Sequence, residues 1–426
     1  MSLFVIGSFL AFALLGMPLA FALGVSALVG LWFSGFDILV IAPRIMNSVN
    51  SFPLMSIPLF MVAGELMLKG GIMDRIVDFA NAFIGRIRGG LAQVAIISGA
   101  GLASVSGAAV ADASALSSTL VPSLKKQYGL GFSTGIVAAA ANLGPVIPPS
   151  GAMIVYAFMA GSSVSVGGMF MAGVVPGLIL FFALMILCWF IAWYRDYPLT
   201  GNPISLGNIL RQLRRSLIVF MMPVVVIGGI VIGAFTPTEG AAVGVCYALF
   251  LGFFVTRKLR LSDLPEVLLT AAKTSALVGA MIAFASTVTF LFTIDLLPMH
   301  IASMMQGLTE SPFIFLCLIS LMLLVVGMFL ESNAAYIMLV PLFHPIALQY
   351  GIDPLHFGFV FVLNLVIGML TPPVGVVLFV VTGITGVKMG ELVRESWPFI
   401  AAMYAVLILC ILVPEVVTWL PTRLGY

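Results

Sequence analysis

Long apolar runs recur along almost the whole chain, and they constrain its fold more than any other feature. A helix that crosses a membrane needs about 20 apolar residues, and the sequence contains many such runs. Apolar residues make up 62% of the chain and charged residues only 8%, whereas a soluble domain carries about 25% charged residues. Such a chain has too few polar groups to cover its surface in water. The sequence therefore predicts an all-α, multi-pass protein of the lipid bilayer.

The remaining composition narrows the classes of function. The net charge of +2 provides no overall field that would attract nucleic acid. Four cysteines lie inside apolar runs without CxxC spacing, which predicts small buried side chains; they are Cys188, Cys246, Cys317 and Cys410. Residues 1–35 have no basic leader and no cleavage site, so we expect a retained membrane segment.

Apolar runs of sufficient length predict eight full spans. They lie at about 52–69, 131–160, 167–194, 216–235, 238–256, 274–295, 355–385 and 395–420. Residues 1–35 form either one long span or two short ones broken at Gly16-Met17-Pro18. Charges interleave with apolar residues at 71–88 and 260–272, which is typical of helices that lie along the membrane surface.

Two further apolar segments, 89–124 and 312–349, each have a polar or small-residue break near the middle. Both are compatible with ordinary pairs of spans, but the breaks favour re-entrant helical hairpins. Irregular backbone at membrane depth is tolerated only where protein or a water-filled cavity covers it. We therefore predict that each hairpin tip lies inside the protein.

The basic residues support this layout. Suppose that each hairpin enters and leaves the membrane on the same side. Then only Arg44 and Arg423 lie on one face of the membrane. The other sixteen lie on the opposite face, which the positive-inside rule places in the cytoplasm; they are Lys69, Arg75, Arg86, Arg88, Lys125, Lys126, Arg195, Arg211, Arg214, Arg215, Arg257, Lys258, Arg260, Lys273, Lys388 and Arg394. Five predicted spans separate the hairpins, so the second hairpin is inverted relative to the first.

Matching sequence supports an inverted repeat. At an offset of 224 residues, the Gly and Pro-Pro of NLGPVIPPSG (142–151) align with those of NLVIGMLTPPVG (364–375). At an offset of 219, Asp112 aligns with Glu331. Proline removes a backbone donor and clashes with the preceding turn, so Pro-Pro unwinds a span. Paired spans broken by Gly and Pro indicate the transport site of an inverted-repeat transporter.

The chain resembles the large membrane subunit of tripartite ATP-independent periplasmic (TRAP) transporters. The likeness covers nearly the whole chain, and four segments carry it: SIPLFMVAGELM (56–67), GGLAQVAIISGAGLASVSGAAVAD (89–112), ANLGPVIPPSGAMIVYA (141–157) and GMLTPPVG (368–375). The resemblance implies sodium-driven import of an organic anion by an elevator motion in the bacterial inner membrane. It also implies a soluble periplasmic substrate-binding protein and a small four-helix membrane subunit as partners. The sialic-acid branch is the most similar, before C4-dicarboxylates and sugar acids.

Candidate sodium ligands follow from the hairpin tips and broken spans. The first set consists of hydroxyls and freed carbonyls of Ser104, Ser106, Gly144, Ile147 and Pro148; the second consists of Gly327, Gly368, Met369 and Thr371. The alternative is close helix packing through small residues. No other metal site and no further cofactor is expected.

Polar residues near the breaks are the candidate substrate or ion contacts. They are Asp112, Glu331, Asn142, Ser150, Asn333 and Asn364. Acids at membrane depth are functional by default, although each acid here has the alternative of capping a half-helix, and the amides that of bonding between helices. No arginine lies near the predicted midplane. His300, His344 and His356 lie toward the outer face without metal spacing, which predicts a surface or docking role.

Three rival functions are weaker. An intramembrane aspartyl protease would need two aspartates, whereas one of the two acids here is a glutamate, and HExxH does not occur, so we predict that the chain is not an enzyme. A channel would need a continuous pore. A stand-alone sodium/dicarboxylate symporter of the divalent-anion type shares the layout and remains the alternative.

The predicted domain map has five parts. Residues 1–88, 166–311 and 387–426 form a scaffold. Residues 89–165 form the first transport repeat, with hairpin 89–124 and broken span 131–160. Residues 312–386 form the second, with hairpin 312–349 and broken span 355–385.

Overall fold

The computed structural model describes residues 1–84, 87–200 and 206–426, and within these ranges the chain is almost entirely helical. The helices are α1 (Ser2–Leu14), α2 (Leu19–Ser34), α3 (Ile41–Val49), α4 (Ser56–Lys69), α5 (Ile72–Ile84), α6 (Gly90–Ser106), α7 (Ala109–Tyr128), α8 (Leu130–Ala141), α9 (Gly151–Ala160), α10 (Val166–Tyr194), α11 (Leu206–Val231), α12 (Pro237–Phe250), α13 (Leu264–Ile294), α14 (Leu297–Leu308), α15 (Pro312–Phe329), α16 (Ser332–Gln349), α17 (Pro354–Gly368), α18 (Val376–Thr385), α19 (Met389–Leu412) and α20 (Glu415–Arg423). Two short strands, β1 (Ile87–Arg88) and β2 (Leu199–Thr200), pair antiparallel. The all-α prediction is confirmed.

Six of the described helices are long and apolar enough to cross a membrane: α10, α11, α12, α13, α15 and α19. Helices α4 and α5 meet the same criterion only together, and the chain bends by 66° between them. Further apolar helices are shorter than a span: α1, α2 and α3 near the start of the chain, and α6, α8, α9, α17 and α18 in the first hairpin and the broken spans. The chain is therefore a multi-pass membrane protein.

The ends of several elements differ from the sequence prediction. Of the two possibilities for residues 1–35, the structure has the two helices α1 and α2. Most of the stretch 260–272 is not a separate surface helix, because α13 begins at Leu264 and continues without a break to Ile294. The span predicted to reach residue 420 ends at Leu412, just before Pro414, which provides no N–H to continue the helical ladder.

Two helices, α3 and α14, were not predicted at all, because their apolar stretches are short. Helix α5 confirms a helix within the amphipathic stretch 71–88. Gly85 and Arg86 of that stretch lie outside the described residues. Two of the four cysteines predicted to be buried, Cys246 and Cys317, are exposed in this chain. They lie on the outside of α12 and α15, where an apolar thiol is compatible with lipid.

Both predicted hairpins are pairs of helices with a short break. The first consists of α6 and α7, and its break lies at Gly107, whose φ of +62° is the left-handed conformation that glycine tolerates best. The second consists of α15 and α16, and its break lies at Leu330 and Glu331, both with extended backbone. Each hairpin thus ends in an irregular tip.

Both predicted broken spans are also present. Helices α8 and α9 are separated by the unwound residues 142–150, and helices α17 and α18 by the unwound residues 369–375. The Pro148–Pro149 and Pro372–Pro373 peptide bonds are both cis. Helix α8 is buried from Gly131 to its end, and α17 from His356 to its end. Because protein covers both helices on every side, they lie at the centre of the fold.

The two halves pack against each other reciprocally. Helix α9, the second half of the first broken span, packs on α16 of the second hairpin. Helix α18, the second half of the second broken span, packs on α7 of the first hairpin. Each half therefore contributes one helix to the hairpin of the other half, and this brings both tips and both unwound segments to one region.

The other helices fall into two groups by their packing. Helices α4, α12 and α13, together with α1 to α3, contact mainly one another, and α11 packs on α12 and on α5. Helices α10, α19 and α20 instead pack on the broken spans and on one another, with α19 against α8 and α10 against α17. The predicted map assigned all of 166–311 and 387–426 to the scaffold, whereas α10, α19 and α20 contact the hairpin-bearing part. Packing alone does not establish which helices move, so the domain division remains a prediction.

Candidate functional site

The first hairpin tip lies directly on the first unwound segment. A Cβ atom at Gly107 would be 2.8 Å from the carbonyl oxygen of Pro149 and 2.9 Å from the backbone nitrogen of Gly151. Both distances are too short for a real side chain. Only glycine permits this approach, which places the end of α6 against the backbone that the Pro-Pro pair unwinds.

Asp112 is the most unusual residue at this contact. Its side chain is completely buried, and the Ser106 hydroxyl donates a hydrogen bond to its Oδ1 atom. Its other oxygen, Oδ2, has no hydrogen-bond partner among the described residues. A Cβ atom at Gly144 would collide with that oxygen. An unpaired carboxylate oxygen therefore faces the unwound segment, and burial of an unpaired anionic oxygen is costly unless a cation binds it.

The unwound segment that this oxygen faces carries freed backbone carbonyls. Among the described hydrogen bonds, none ends on the carbonyl of Gly144, Ile147 or Pro148. Ser104 donates its own hydroxyl proton to the Gly101 carbonyl at 2.7 Å, which leaves lone pairs on its oxygen. All five predicted ligands of the first sodium set thus lie on the two elements that meet here, and all provide oxygen atoms. Hard cations such as sodium prefer oxygen ligands.

The second tip and the second unwound segment also meet closely. A Cβ atom at Gly368 would be 2.6 Å from the Cα atom of Gly327. The Gly375 N–H donates to the Met328 carbonyl at 3.0 Å, and the buried Thr371 hydroxyl donates to the Ile367 carbonyl at 2.7 Å. The Met369 carbonyl accepts from the Val377 N–H at 3.1 Å. The four predicted ligands of the second set are therefore brought together, although part of their hydrogen-bonding capacity is used internally.

The two aligned acids have different environments. Glu331 is the N-cap of α16, and its side chain accepts from the Ala334 N–H at 3.3 Å and from the Asn333 amide at 2.9 Å. Asp112 lies one turn inside α7 and has one oxygen free. The sequence alignment of these acids is thus not matched by equivalent hydrogen bonding.

A cavity of about 380 Å³ lies between the tips on one side and α4 and α13 on the other. The hairpin-bearing side of the cavity includes Ser106, Gly107, Glu331, Ser332, Asn333 and Met369. The opposite wall consists mainly of apolar residues of α4 and α13, with Glu65 and Thr274 as its polar members. Glu65 was not singled out from the sequence, although an acid inside an apolar run is a signal that could have identified it.

Three of the predicted substrate contacts lie elsewhere. Asn142 donates from its amide to the Val366 carbonyl at 2.9 Å, which joins the two broken spans. Asn364 donates to the Ser320 hydroxyl at 3.1 Å, and Ser150 donates to the Pro145 carbonyl at 2.7 Å and caps α9. All three are buried, and none belongs to the described lining of the cavity. Of the predicted substrate contacts, only Asn333 and Glu331 reach the cavity.

The prediction that all three histidines have a surface role is wrong for two of them. His344 is buried and contacts the Tyr156 hydroxyl and the Ser163 hydroxyl, each at 2.8 Å. His356 is buried and contacts the Cys410 carbonyl at 2.8 Å. Only His300 is exposed. The partners of the buried histidines come from distant parts of the chain, so no local sequence signal identifies them.

Comparison with known proteins adds to this geometry. Residues 6–416 match the family described as "Tripartite ATP-independent periplasmic transporter, DctM component". The C4-dicarboxylate TRAP transporter large permease protein DctM of Pseudomonas aeruginosa is 39% identical over 406 residues, which cover 95% of this chain and 94% of that protein. The sialic acid TRAP transporter large permease protein SiaM of Vibrio cholerae is 36% identical over 414 residues, which cover 96% of each.

A solved structure shows a similar fold at low identity. The Alcanivorax borkumensis YdaH transporter superposes with a TM-score of 0.63 and 14% sequence identity, over 88% of each chain. At that identity the likeness concerns the fold alone. The family match covers nearly the whole chain, and the relatives are similar over their full length. The chain belongs to the DctM component family of tripartite ATP-independent periplasmic (TRAP) transporters.

Proposed function

We propose that the chain is the sodium-coupled permease of an import system for an organic acid anion in the bacterial inner membrane. Family membership supports organic-acid import by a large permease. The observation that most supports sodium coupling is the free Oδ2 atom of buried Asp112, which faces the unwound segment at Gly144. A bound cation there neutralises a carboxylate that the fold otherwise leaves unpaired.

The substrate is proposed to bind in the cavity between the two tips. Asn333 and Ser332 of the second tip and Ser106 of the first supply polar contacts there, whereas the α16 N-terminus is already capped by the Glu331 carboxylate. No arginine belongs to the described lining. A carboxylate in this cavity would therefore be neutralised mainly by the bound cations, which makes binding of the two mutually dependent.

The position of the cavity supports an inward-open state. Its lining includes Leu68 and Glu65 near the end of α4, and Ala271 and Thr274 near the start of α13. These are the ends that the basic residues Lys69 and Lys273 place at the cytoplasm. We propose that the hairpin-bearing group, including α10, α19 and α20, slides against α4 and α13 as an elevator to expose the site outside.

The proposed partners are a small four-helix membrane subunit and a periplasmic substrate-binding protein, as the tripartite family implies. The acidic residues Asp295, Glu310 and Asp353 of the predicted outer loops are candidate contacts for the binding protein. Sialic acid is the first substrate to test and a C4-dicarboxylate the second. Relatives named for both are similarly close, so similarity does not favour either one.

Uptake into proteoliposomes tests the function directly. With the chain, its small subunit and the binding protein present, we expect accumulation of labelled substrate only with an inward sodium gradient. A potassium gradient of the same size is the control. Uptake without sodium would contradict the coupling, and uptake without the binding protein would support the stand-alone divalent-anion symporter instead.

A matched pair of amide variants separates binding from packing. Asn142→Ala leaves the Val366 carbonyl, in the last turn of α17, without its partner. The expected cost is about 1–3 kcal/mol of stability, with little selective change in KM. Asn333→Ala removes an amide that lines the cavity, and we expect KM to rise by about fivefold, which corresponds to a single hydrogen bond.

Thermal unfolding in detergent and the concentration dependence of uptake measure the two effects. A rise in KM at unchanged stability for Asn142→Ala would show that Asn142 contacts the substrate after all. Unchanged KM for Asn333→Ala would exclude this amide from the proposed binding site.

A further inference from the structure

Three arginines lie on one face at the start of α11. Arg211, Arg214 and Arg215 are spaced three and four residues apart, which places them on the same side of the helix, and all three are exposed. None of them takes part in an ion pair within the described ranges. We call these three residues the arginine face.

Acids in the neighbourhood do not neutralise this charge. Asp74 of the adjacent helix α5 is paired with Lys258, and Asp196 is paired with Arg88. Asp78, also on α5, has no ion pair among the described residues. Residues 201–205, which precede α11, have the sequence GNPIS and therefore contain no acid. Like charges at this spacing destabilise a helix, so an external anion would stabilise it.

The position of the arginine face indicates which anion is available. Residues Ile209–Val231 of α11 are long and apolar enough to cross the membrane. The basic residues place the start of this helix at the cytoplasmic surface. Leu210, Leu213 and Leu217 alternate with the arginines and are exposed by 66%, 39% and 51%. Guanidinium groups thus lie next to side chains that suit the acyl region, at the level of lipid headgroups.

We propose that the arginine face binds the phosphate of an anionic phospholipid in the cytoplasmic leaflet. A guanidinium presents a planar fork of donors that matches phosphate oxygens. The neighbouring leucines contact the acyl chains of the same lipid. Basic clusters at the cytoplasmic end of a span attract anionic lipid, by about 1 kcal/mol for each residue.

The arginine face adjoins the connection between the scaffold and the first hairpin. Arg75 of α5 donates to the backbone carbonyl of Arg215 at 2.9 Å and to that of Val255 at 2.8 Å. Phe79 of α5 contacts Phe220 of α11 edge-on, with ring centroids 5.1 Å apart. Helix α5 leads into α6, the first helix of the hairpin. A lipid on the arginine face would therefore lie beside the α5–α11 contact that precedes the first hairpin.

Lipid binding to purified protein tests the proposal without any transport assay. The double variant Arg211→Gln/Arg214→Gln removes two charges and leaves Arg215, whose backbone holds Arg75. The control is Lys125→Gln/Lys126→Gln, which removes two exposed charges from the same predicted face. Native mass spectrometry in detergent measures binding of phosphatidylglycerol against phosphatidylcholine.

We expect the native chain and the lysine control to prefer phosphatidylglycerol, and the arginine variant to bind it about tenfold or more weakly. In phosphatidylcholine the lysine control should unfold at the native temperature, and the arginine variant at that temperature or slightly above it, because two like charges are removed. Arg214→Gln alone is tested if the double variant is unstable. Unchanged binding by the arginine variant, or an equal loss in the lysine control, would overturn the proposal. If inorganic phosphate raised the unfolding temperature of the native chain as much as phosphatidylglycerol does, the arginine face would bind a soluble anion. That result would also overturn the proposal.

Discussion

Asp112→Asn is expected to abolish the sodium dependence of uptake. The variant keeps the size and shape of the side chain and can still accept from the Ser106 hydroxyl, but it removes the charge that faces Gly144. Removing one partner of a buried ion pair costs about 3–5 kcal/mol. That corresponds to sodium affinity about 150- to 4,000-fold weaker.

The unfolding temperature of Asp112→Asn provides a second measurement, and the direction of its change can be predicted. Without sodium, the native chain contains a buried carboxylate oxygen with no partner among the described residues. Asparagine carries no charge, so in potassium the variant should unfold at the same temperature as the native chain or higher. Sodium should raise the unfolding temperature of the native chain by mass action, and it should have a much smaller effect on the variant.

Glu331→Gln is the matched control, because it makes the same change in the other hairpin. A glutamine oxygen can still accept from the Ala334 N–H, so the cap of α16 is preserved. We expect a much smaller change in sodium affinity than for Asp112→Asn. If Asp112→Asn loses uptake but keeps the sodium-dependent rise in unfolding temperature, Asp112 acts in translocation and is not an ion ligand.

Gly368→Ala is expected to have the largest effect on packing. The new Cβ atom would lie 2.6 Å from the Cα atom of Gly327 and 2.7 Å from its carbonyl carbon. Both neighbours are backbone atoms, so the clash cannot be relieved by rotating a side chain. Overpacking of this kind typically costs about 1–3 kcal/mol, and here it also separates the second hairpin from the unwound segment. We expect a lower unfolding temperature and uptake reduced by more than about tenfold, since 1.4 kcal/mol corresponds to a factor of ten.

Gly383→Ala, in the second half of the same broken span, is the control. Nothing lies within 4 Å of a Cβ atom built at this position, and alanine favours a helix more than glycine does. The control should unfold at the native temperature or slightly above it and should transport normally. Native stability and uptake in Gly368→Ala would show that the close approach of the two glycines is not required.

The predictions from sequence succeeded where a local pattern has a direct physical cause. Apolar length identified the spans, and Gly with Pro-Pro identified both broken helices, because proline interrupts a helix regardless of its tertiary surroundings. Small and polar residues inside apolar runs identified the breaks between α6 and α7 and between α15 and α16. The predicted start of α13 and the predicted end of α19 were wrong, because apolar composition alone does not mark a helix end.

Local sequence patterns did not predict the roles of single polar residues. Asn142 bonds to Val366, and His344 bonds to Tyr156; the partners are 224 and 188 residues apart in the chain. A polar side chain in an apolar run must find a partner, but the sequence does not show whether that partner is protein, ion or substrate. The aligned pair Asp112 and Glu331 shows this most directly, because one has a free oxygen and the other caps a helix.

By itself, the sequence determined the membrane environment, the all-helical class, the breaks within the two predicted hairpins and the two broken spans. These follow from composition and from glycine and proline, whose effects are local. Only the tertiary structure decided which polar residues face one another, which face the cavity and which are used for packing. The reason is that hydrogen-bond partners, free oxygens and cavity walls are formed by elements that are distant in the chain and meet only when both halves fold together.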